Sequence, residues 1–158
     1  MPPSSPHHAG LALRSAAAAT AAAVVLAGCG GKPVTRASVI ARGNAICATA
    51  SRALANLPAT SGSSGASVNF VKAAPIVTQE AQKLSALPRP AADRMLLQRF
   101  VTAESALAAG YRHLAALQRS GGGVPEQTAI AVLGRNDAAS LARGYGLAQC
   151  GAATATVR

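Results

Sequence analysis

The chain has 158 residues, of which half are hydrophobic and 40 are alanine, while aromatic side chains make up only 3%. Its length favours a single domain, and its many helix-forming residues argue against an all-β fold. The formal net charge is +10, although charged residues are only 13% of the chain. Such a composition excludes an intrinsically disordered protein and is atypical of nucleic-acid readers.

The first 28 residues have the layout of a bacterial secretory signal. One fixed positive charge, Arg14, precedes an uncharged and mostly apolar stretch at residues 15–31. This stretch contains Leu-Ala-Gly-Cys at residues 26–29, which matches the lipobox of bacterial lipoproteins. Resemblance to that class implies cleavage between Gly28 and Cys29 and a diacylglyceryl thioether on the Cys29 sulfur.

Two other interpretations of this segment stay open. Its 17 uncharged residues approach the roughly 20 that span a bilayer as a helix, although alanine inserts weakly into membranes. A cleaved secretory peptide followed by an unlipidated cysteine is the second alternative. We expect lipidation, which would anchor the mature protein through Cys29 on the extracytoplasmic face of the cell membrane.

Behind the signal, the chain divides into a tether, a helical domain and a tail. The predicted lipidated tether spans residues 29–34, where glycine and proline resist regular structure, and the domain spans residues 35–150. Residues 151–158 are predicted to form a flexible tail. Removal of the signal lowers the net charge from +10 to +9 and leaves His113 as the single histidine.

Hydrophobic periodicity predicts four helices, at about residues 36–56, 68–87, 91–119 and 125–149. Thr35 or Ser38 caps the first helix, and Pro75 predicts a kink in the second or a start at that residue. Gly151 is the predicted cap of the fourth. The bulky side chains expected in the core include Leu117 and Ile130. Short connections between the helices predict an all-α, antiparallel four-helix bundle.

The three cysteines predict one disulfide. With Cys29 assigned to lipid, Cys47 and Cys150 remain as a pair in an oxidising compartment, where disulfides persist. The bond would close a loop of roughly 100 residues and contribute about 4–5 kcal/mol in the loop-entropy model. It requires the first and fourth helices to be neighbours, with the two Cα atoms within about 7 Å.

The sequence motifs of the common enzyme and cofactor classes are absent. There is no CxxC pair, no metal-ligand spacing of histidine and cysteine, and no phosphate-binding glycine loop. His113 is expected to be an exposed or half-buried structural residue. The five carboxylates are expected on solvated faces, at helix starts and in local ion pairs such as Glu80 with Lys83. Asp137 lies between Arg135 and Arg143 in the sequence and is expected to form a surface ion pair; the alternative is a functional role. No catalytic residue, metal or cofactor is predicted.

Positive charge is spread over all the predicted helices rather than clustered. Such a distribution predicts general attraction to an anionic lipid or cell-wall polymer rather than a dedicated anion site. The alternative is that arginine keeps an alanine-rich bundle soluble. Nucleic acid is not expected as a partner outside the cytoplasm.

Several short motifs carry a resemblance to a known group of proteins, namely Asn44–Cys47, Leu57–Pro58, Ala74–Val77, Leu84–Pro88 and Tyr145–Cys150. Over about residues 35–151 the chain resembles the small helical envelope lipoproteins of actinobacteria, a group with no assigned activity. The resemblance implies a helical fold and the cysteine pair, and it brings no catalytic residues to this chain.

The predicted extracytoplasmic location and the absence of enzyme and cofactor motifs together favour a non-enzymatic, membrane-anchored lipoprotein that binds a partner or organises the envelope. The alternative is a carrier that holds a lipid or other apolar ligand in a cavity of a few hundred Å³ lined by leucine and valine. A hydrolase would require His113 beside a carboxylate in a cleft.

Overall fold

The computed structural model describes residues 33–58, 68–121 and 123–151. These residues form five helices, namely α1 (Arg36–Ala55), α2 (Phe70–Ser85), α3 (Arg94–Arg119), α4 (Glu126–Leu133) and α5 (Ala138–Tyr145). Over the described residues the fold is entirely helical, as predicted, but the predicted number of four helices is wrong. None of the described helices is long and apolar enough to cross a membrane. The predicted signal, Gly28, Cys29 and the tail beyond Gly151 lie outside the described residues.

Local side-chain hydrogen bonds fix the start of α1. The Thr35 hydroxyl oxygen accepts a hydrogen bond from the Ser38 N–H, and the Ser38 hydroxyl oxygen accepts one from the Thr35 N–H, both at 3.2 Å. This reciprocal capping box satisfies two backbone donors that a helix start otherwise leaves free. The helix ends at Ala55 with Asn56 as its cap, so its predicted bounds are confirmed.

Helix α2 begins before its proline. The Asn69 side chain accepts a hydrogen bond from the Lys72 N–H at 3.1 Å and so caps the helix. The helix then continues through Pro75, which is exposed. The predicted alternative of a start at Pro75 is therefore wrong, because the asparagine cap sets the first turn upstream of it.

Helices α2 and α3 form the largest contact in the described fold. At one end of this contact the Gln118 side chain accepts a hydrogen bond from the Val71 N–H at 3.0 Å. Further along, the Arg112 guanidinium donates to the Thr78 hydroxyl at 3.3 Å. A short 3-10 turn at Ala91–Asp93 precedes α3.

The predicted fourth helix is two helices separated by a turn at residues 134–137. The Asn136 amide nitrogen donates to the Ala103 carbonyl of α3 at 2.7 Å, and its amide oxygen accepts from the Ala138 N–H at 2.8 Å. Asparagine thereby offers the backbone an alternative to a continuous helix. Helix α5 ends at Tyr145 and is capped by Gly146, whose φ of 102° is the left-handed conformation that favours glycine, so Gly151 is not the helix cap.

The buried side chains form two clusters. One lies between α2, α3 and α4 around Phe70 and Tyr111, whose rings are 5.9 Å apart, and the other joins α1, α3 and α5 around Phe100 and Tyr145. The buried face of α3 includes Leu97, Phe100, Val101, Glu104, Leu107, Tyr111 and Leu114. Leu117 and Ile130 are 36% and 43% exposed, so their predicted place in the core is wrong.

Candidate functional site

A disulfide joins α1 to the 3-10 turn at Ala148–Gly151 that follows α5. The sulfur atoms of Cys47 and Cys150 are bonded, and their Cα atoms are 4.9 Å apart. The prediction of this bond is confirmed. The sequence predicts Cys150 at the end of a long fourth helix, whereas in the structure it lies in a separate 3-10 turn.

The turn that carries Cys150 packs closely on α1. The Asn44 side chain accepts a hydrogen bond from the Gln149 N–H at 3.0 Å. A Cβ atom added at Gly43 would lie only 2.5 Å from Leu147 Cδ2, so the absence of a side chain at Gly43 permits this contact. Gly43, Cys47 and Leu147 are all buried. The disulfide therefore reinforces a contact that is already tightly packed.

Three side chains link the starts of α1 and α3 to the end of α5, and we call them the terminal latch: Arg36, Asp93 and Tyr145. Arg36 lies 3.6 Å from the Asp93 carboxylate and donates to the Tyr145 carbonyl at 3.1 Å. Its guanidinium is 4.6 Å from the centre of the Tyr145 ring, a cation–π distance. The Tyr145 hydroxyl donates to the other Asp93 oxygen at 2.9 Å.

The electrostatics of the terminal latch oppose ionisation of its tyrosine. Burial raises the pKa of Tyr145, and its hydrogen bond to Asp93 and the negative charge of that carboxylate raise it further, to about 12. The positive charge of Arg36 acts in the opposite direction. Tyr145 therefore stays a neutral hydrogen-bond donor at physiological pH, which suits a structural role.

A pair of buried carboxyl groups lies between α2 and α3. Glu80 is 4% exposed and Glu104 is 2% exposed, and neither forms a salt bridge with a described residue. The predicted solvated position of Glu80 and its pairing with Lys83 are therefore wrong. Glu80 shares a face of α2 with Val77 and Leu84, so the packing of α3 over that face buries it.

Burial and mutual repulsion make these carboxyl groups weak acids. Burial raises the pKa of Glu80 to about 7. Burial and then the charge of Glu80 raise the pKa of Glu104 to about 8. Burial and both glutamate charges raise the pKa of Tyr111 to about 12. The pair therefore changes its protonation near neutral pH, inside an apolar and alanine-rich interface.

A groove of about 430 Å³ lies between α3 and the turn before α5. Its polar wall includes two exposed arginines, Arg99 and Arg135, together with Gln98, Asn136 and Asp137. Asp137 forms no salt bridge with a described residue, so its predicted surface ion pair is wrong. We call this feature the arginine groove. Its guanidinium groups, which form no salt bridge with a described residue, suit carboxylate or phosphate oxygens.

A smaller groove of about 240 Å³ runs between α2 and α3. It is lined by the hydroxyl groups of Thr78 and Ser105, the amide of Gln82, the guanidinium of Arg112 and the methyl groups of alanines. Neither groove is lined mainly by leucine or valine. Glu80 and Glu104 line neither of them. Each groove thus presents a mixed polar and apolar surface, whereas the carboxyl pair lies in the protein interior.

The residues singled out from the sequence are not brought together into one site. His113 is exposed on α3, as expected, and within the described residues no group of three or more histidine, cysteine or acidic side chains could hold a metal ion.

Sequence reasoning missed the buried carboxyl pair and the arginine groove. Helical spacing offered a signal for the pair, because Glu104 falls on the same face as Phe100 and Leu107.

Comparison of the chain with protein-family models, with curated proteins and with solved structures finds no match.

Proposed function

We propose that the protein is a lipid-anchored extracytoplasmic protein, held to the membrane through Cys29, whose helical domain acts by binding. The observation that carries the proposal is the Cys47–Cys150 disulfide. Such bonds persist in oxidising compartments and are rare in the cytosol. The lipobox at residues 26–29 directs the chain to an oxidising compartment, so two independent features agree on the destination.

The proposal assigns a non-enzymatic role to the domain. A general acid or base must come within hydrogen-bond distance of its substrate. The two carboxyl groups with pKa values near neutrality, Glu80 and Glu104, lie in the interior and line neither groove. His113 is exposed and lines neither groove.

We further propose that α2 and α3 run antiparallel, as in the predicted bundle. Val71 pairs with Gln118, and Thr78 pairs with Arg112, so residue numbers rise along α2 as they fall along α3. This arrangement supports the antiparallel part of the predicted bundle for α2 and α3. It does not concern the predicted fourth helix, which is divided into α4 and α5.

The partner that we propose for the arginine groove is an anionic cell-wall polymer. The chain is strongly basic, and in this groove two arginines without salt bridges to described residues flank polar amide groups. The two guanidinium groups favour such a ligand over the apolar cargo of the alternative carrier function.

Acyl labelling tests the anchor. Cys29→Ala is expected to abolish incorporation of labelled fatty acid and to leave either an uncleaved precursor or protein released from the membrane. The double variant Cys47→Ser/Cys150→Ser is the matched control and is expected to keep its label, because lipid would be attached only to Cys29. Undiminished labelling of Cys29→Ala would show that the lipobox assignment is wrong.

Binding of dextran sulfate, with neutral dextran as the reference, tests the arginine groove. Arg99→Gln/Arg135→Gln is expected to weaken binding about tenfold, since two charge-assisted contacts are lost. The control Arg52→Gln/Arg119→Gln removes the same charge from exposed positions outside the groove. Equal weakening by both double variants would show that attraction is diffuse and that the groove is not the binding site.

A further inference from the structure

Two exposed apolar side chains lie near the terminal latch, at the end of the domain where α1 and α3 begin. Met95 is 81% exposed, and Val34 is 43% exposed. Val34 lies two residues before Arg36, and Met95 lies two residues after Asp93. Because Arg36 and Asp93 form an ion pair at 3.6 Å, the two hydrophobic residues belong to the same end of the fold.

The same end is positively charged. Arg94 and Arg143 are exposed, and the Arg36 side chain is 51% exposed. Arg143 belongs here because it lies two residues before Tyr145, whose carbonyl accepts a hydrogen bond from Arg36. Among the described residues at this end, the one acidic side chain is Asp93, which is 14% exposed and already bound by two partners. This end of the domain therefore carries three accessible arginines and two exposed hydrophobic residues.

The length of the tether sets how far this surface lies from the bilayer. Cys29 precedes Val34 by five residues. Five fully extended residues span at most about 18 Å. A lipid on Cys29 would therefore hold this end of the domain within about 18 Å of the headgroups.

We propose that this anchor-proximal patch, formed by Val34, Arg36, Arg94, Met95 and Arg143, docks on an anionic bilayer surface. The inference rests on the proposed lipid anchor. Met95 and Val34 enter the interface between headgroups and acyl chains, while the guanidinium groups contact lipid phosphates. Docking fixes the orientation of the domain, with α3 leading away from the membrane.

Methionine offers a direct probe of this contact. The chain has two methionines, Met1 and Met95, and cleavage of the signal leaves only Met95. The mature lipidated protein, labelled with ¹³C at the methionine methyl group, is placed in nanodiscs that contain phosphatidylglycerol and a doxyl lipid spin label. The Met95 methyl signal is expected to broaden strongly relative to the same sample after reduction of the spin label.

A matched variant moves the probe to the other end of α3. In Met95→Leu/Leu117→Met the methyl group lies 22 residues further along the helix, which is about 33 Å at 1.5 Å per residue. Leu117 is itself 36% exposed and methionine has a similar volume, so the change is expected to cost little stability. The methyl group of this variant is expected to broaden at least fivefold less than that of Met95.

Equal broadening of the two methyl groups, or none at Met95, would overturn the docking proposal. Nanodiscs of phosphatidylcholine alone test the charge contribution, since equal broadening there would show that the arginines do not direct docking. The mass of the same sample reports acylation of Cys29 independently. An acylated protein with an unbroadened Met95 signal refutes the docking surface alone, whereas an unacylated protein refutes the proposed anchor.

Discussion

Replacing Glu104 by glutamine is expected to change how stability depends on pH. Burial and then the charge of Glu80 raise the pKa of Glu104 from 4.5 to about 8 in the folded protein. In the unfolded chain the side chain returns to its ordinary pKa. Between these two values the folded state binds more protons than the unfolded state, so the free energy of unfolding falls as the pH rises from about 4.5 to about 8.

The size of this effect follows from the difference between the two pKa values. The cost of Glu104 to the folded state is about 1 kcal/mol at pH 5, about 3 kcal/mol at pH 7 and between about 4 and 5 kcal/mol above pH 8. Glutamine has the shape of protonated glutamate but carries no charge, so it removes this cost. Because small domains are stable by about 5–15 kcal/mol in total, the gain at alkaline pH is large.

Urea denaturation followed by circular dichroism, with the disulfide intact, measures the difference at about pH 5, 7 and 8.5. The Glu104→Gln variant is expected to be more stable than the natural protein by about 1 kcal/mol at pH 5, and the difference is expected to grow to about 4–5 kcal/mol at pH 8.5. Glu126→Gln is the control, because Glu126 is exposed in the first turn of α4. Stability curves of Glu104→Gln and the natural protein that run parallel over this range would refute the reasoning.

Two further changes probe the C-terminal contact. Cys47→Ser/Cys150→Ser opens a loop that spans 103 residues in sequence, so the free energy of unfolding is expected to fall by about 4–5 kcal/mol; an unchanged melting temperature would contradict this. Gly146→Ala places a side chain at a φ of 102° and is expected to cost about 1–2 kcal/mol. Gly144→Ala, with nothing within 4 Å of the added carbon and a helical backbone, is expected to be neutral or stabilising, and an equal loss in both variants would count against the role of backbone conformation.

Features that depend on nearby residues could be predicted from the sequence. The capping box needs only Thr35 and Ser38, three residues apart, and the start of α1 was accordingly clear. The disulfide was also predictable, because assigning Cys29 to lipid leaves a single pair. In both cases the prediction rests on local chemistry or on elimination, and it can be made without knowing how the helices are arranged.

Features that depend on contacts between distant segments were not predicted. The break before α5 is stabilised by the bond from Asn136 to the Ala103 carbonyl, which lies 33 residues away in the chain. Burial of Glu80 and Glu104 requires α3 to cover α2, whereas charge alone indicates a solvated position. The arginine groove likewise combines Arg99 of α3 with Arg135 of a turn that the sequence placed inside a helix.

The Cys47–Cys150 bond also determines what a cut in the chain would release. Any single hydrolysed peptide bond between residues 48 and 149 leaves two fragments that the disulfide still joins. If Cys29 carries the lipid, both fragments stay on the membrane after such a cut, and only reduction sets the C-terminal one free. Attachment of the domain to the cell surface would thus withstand one proteolytic event in the enclosed sequence, because such a cut releases the C-terminal fragment only when the disulfide is also reduced.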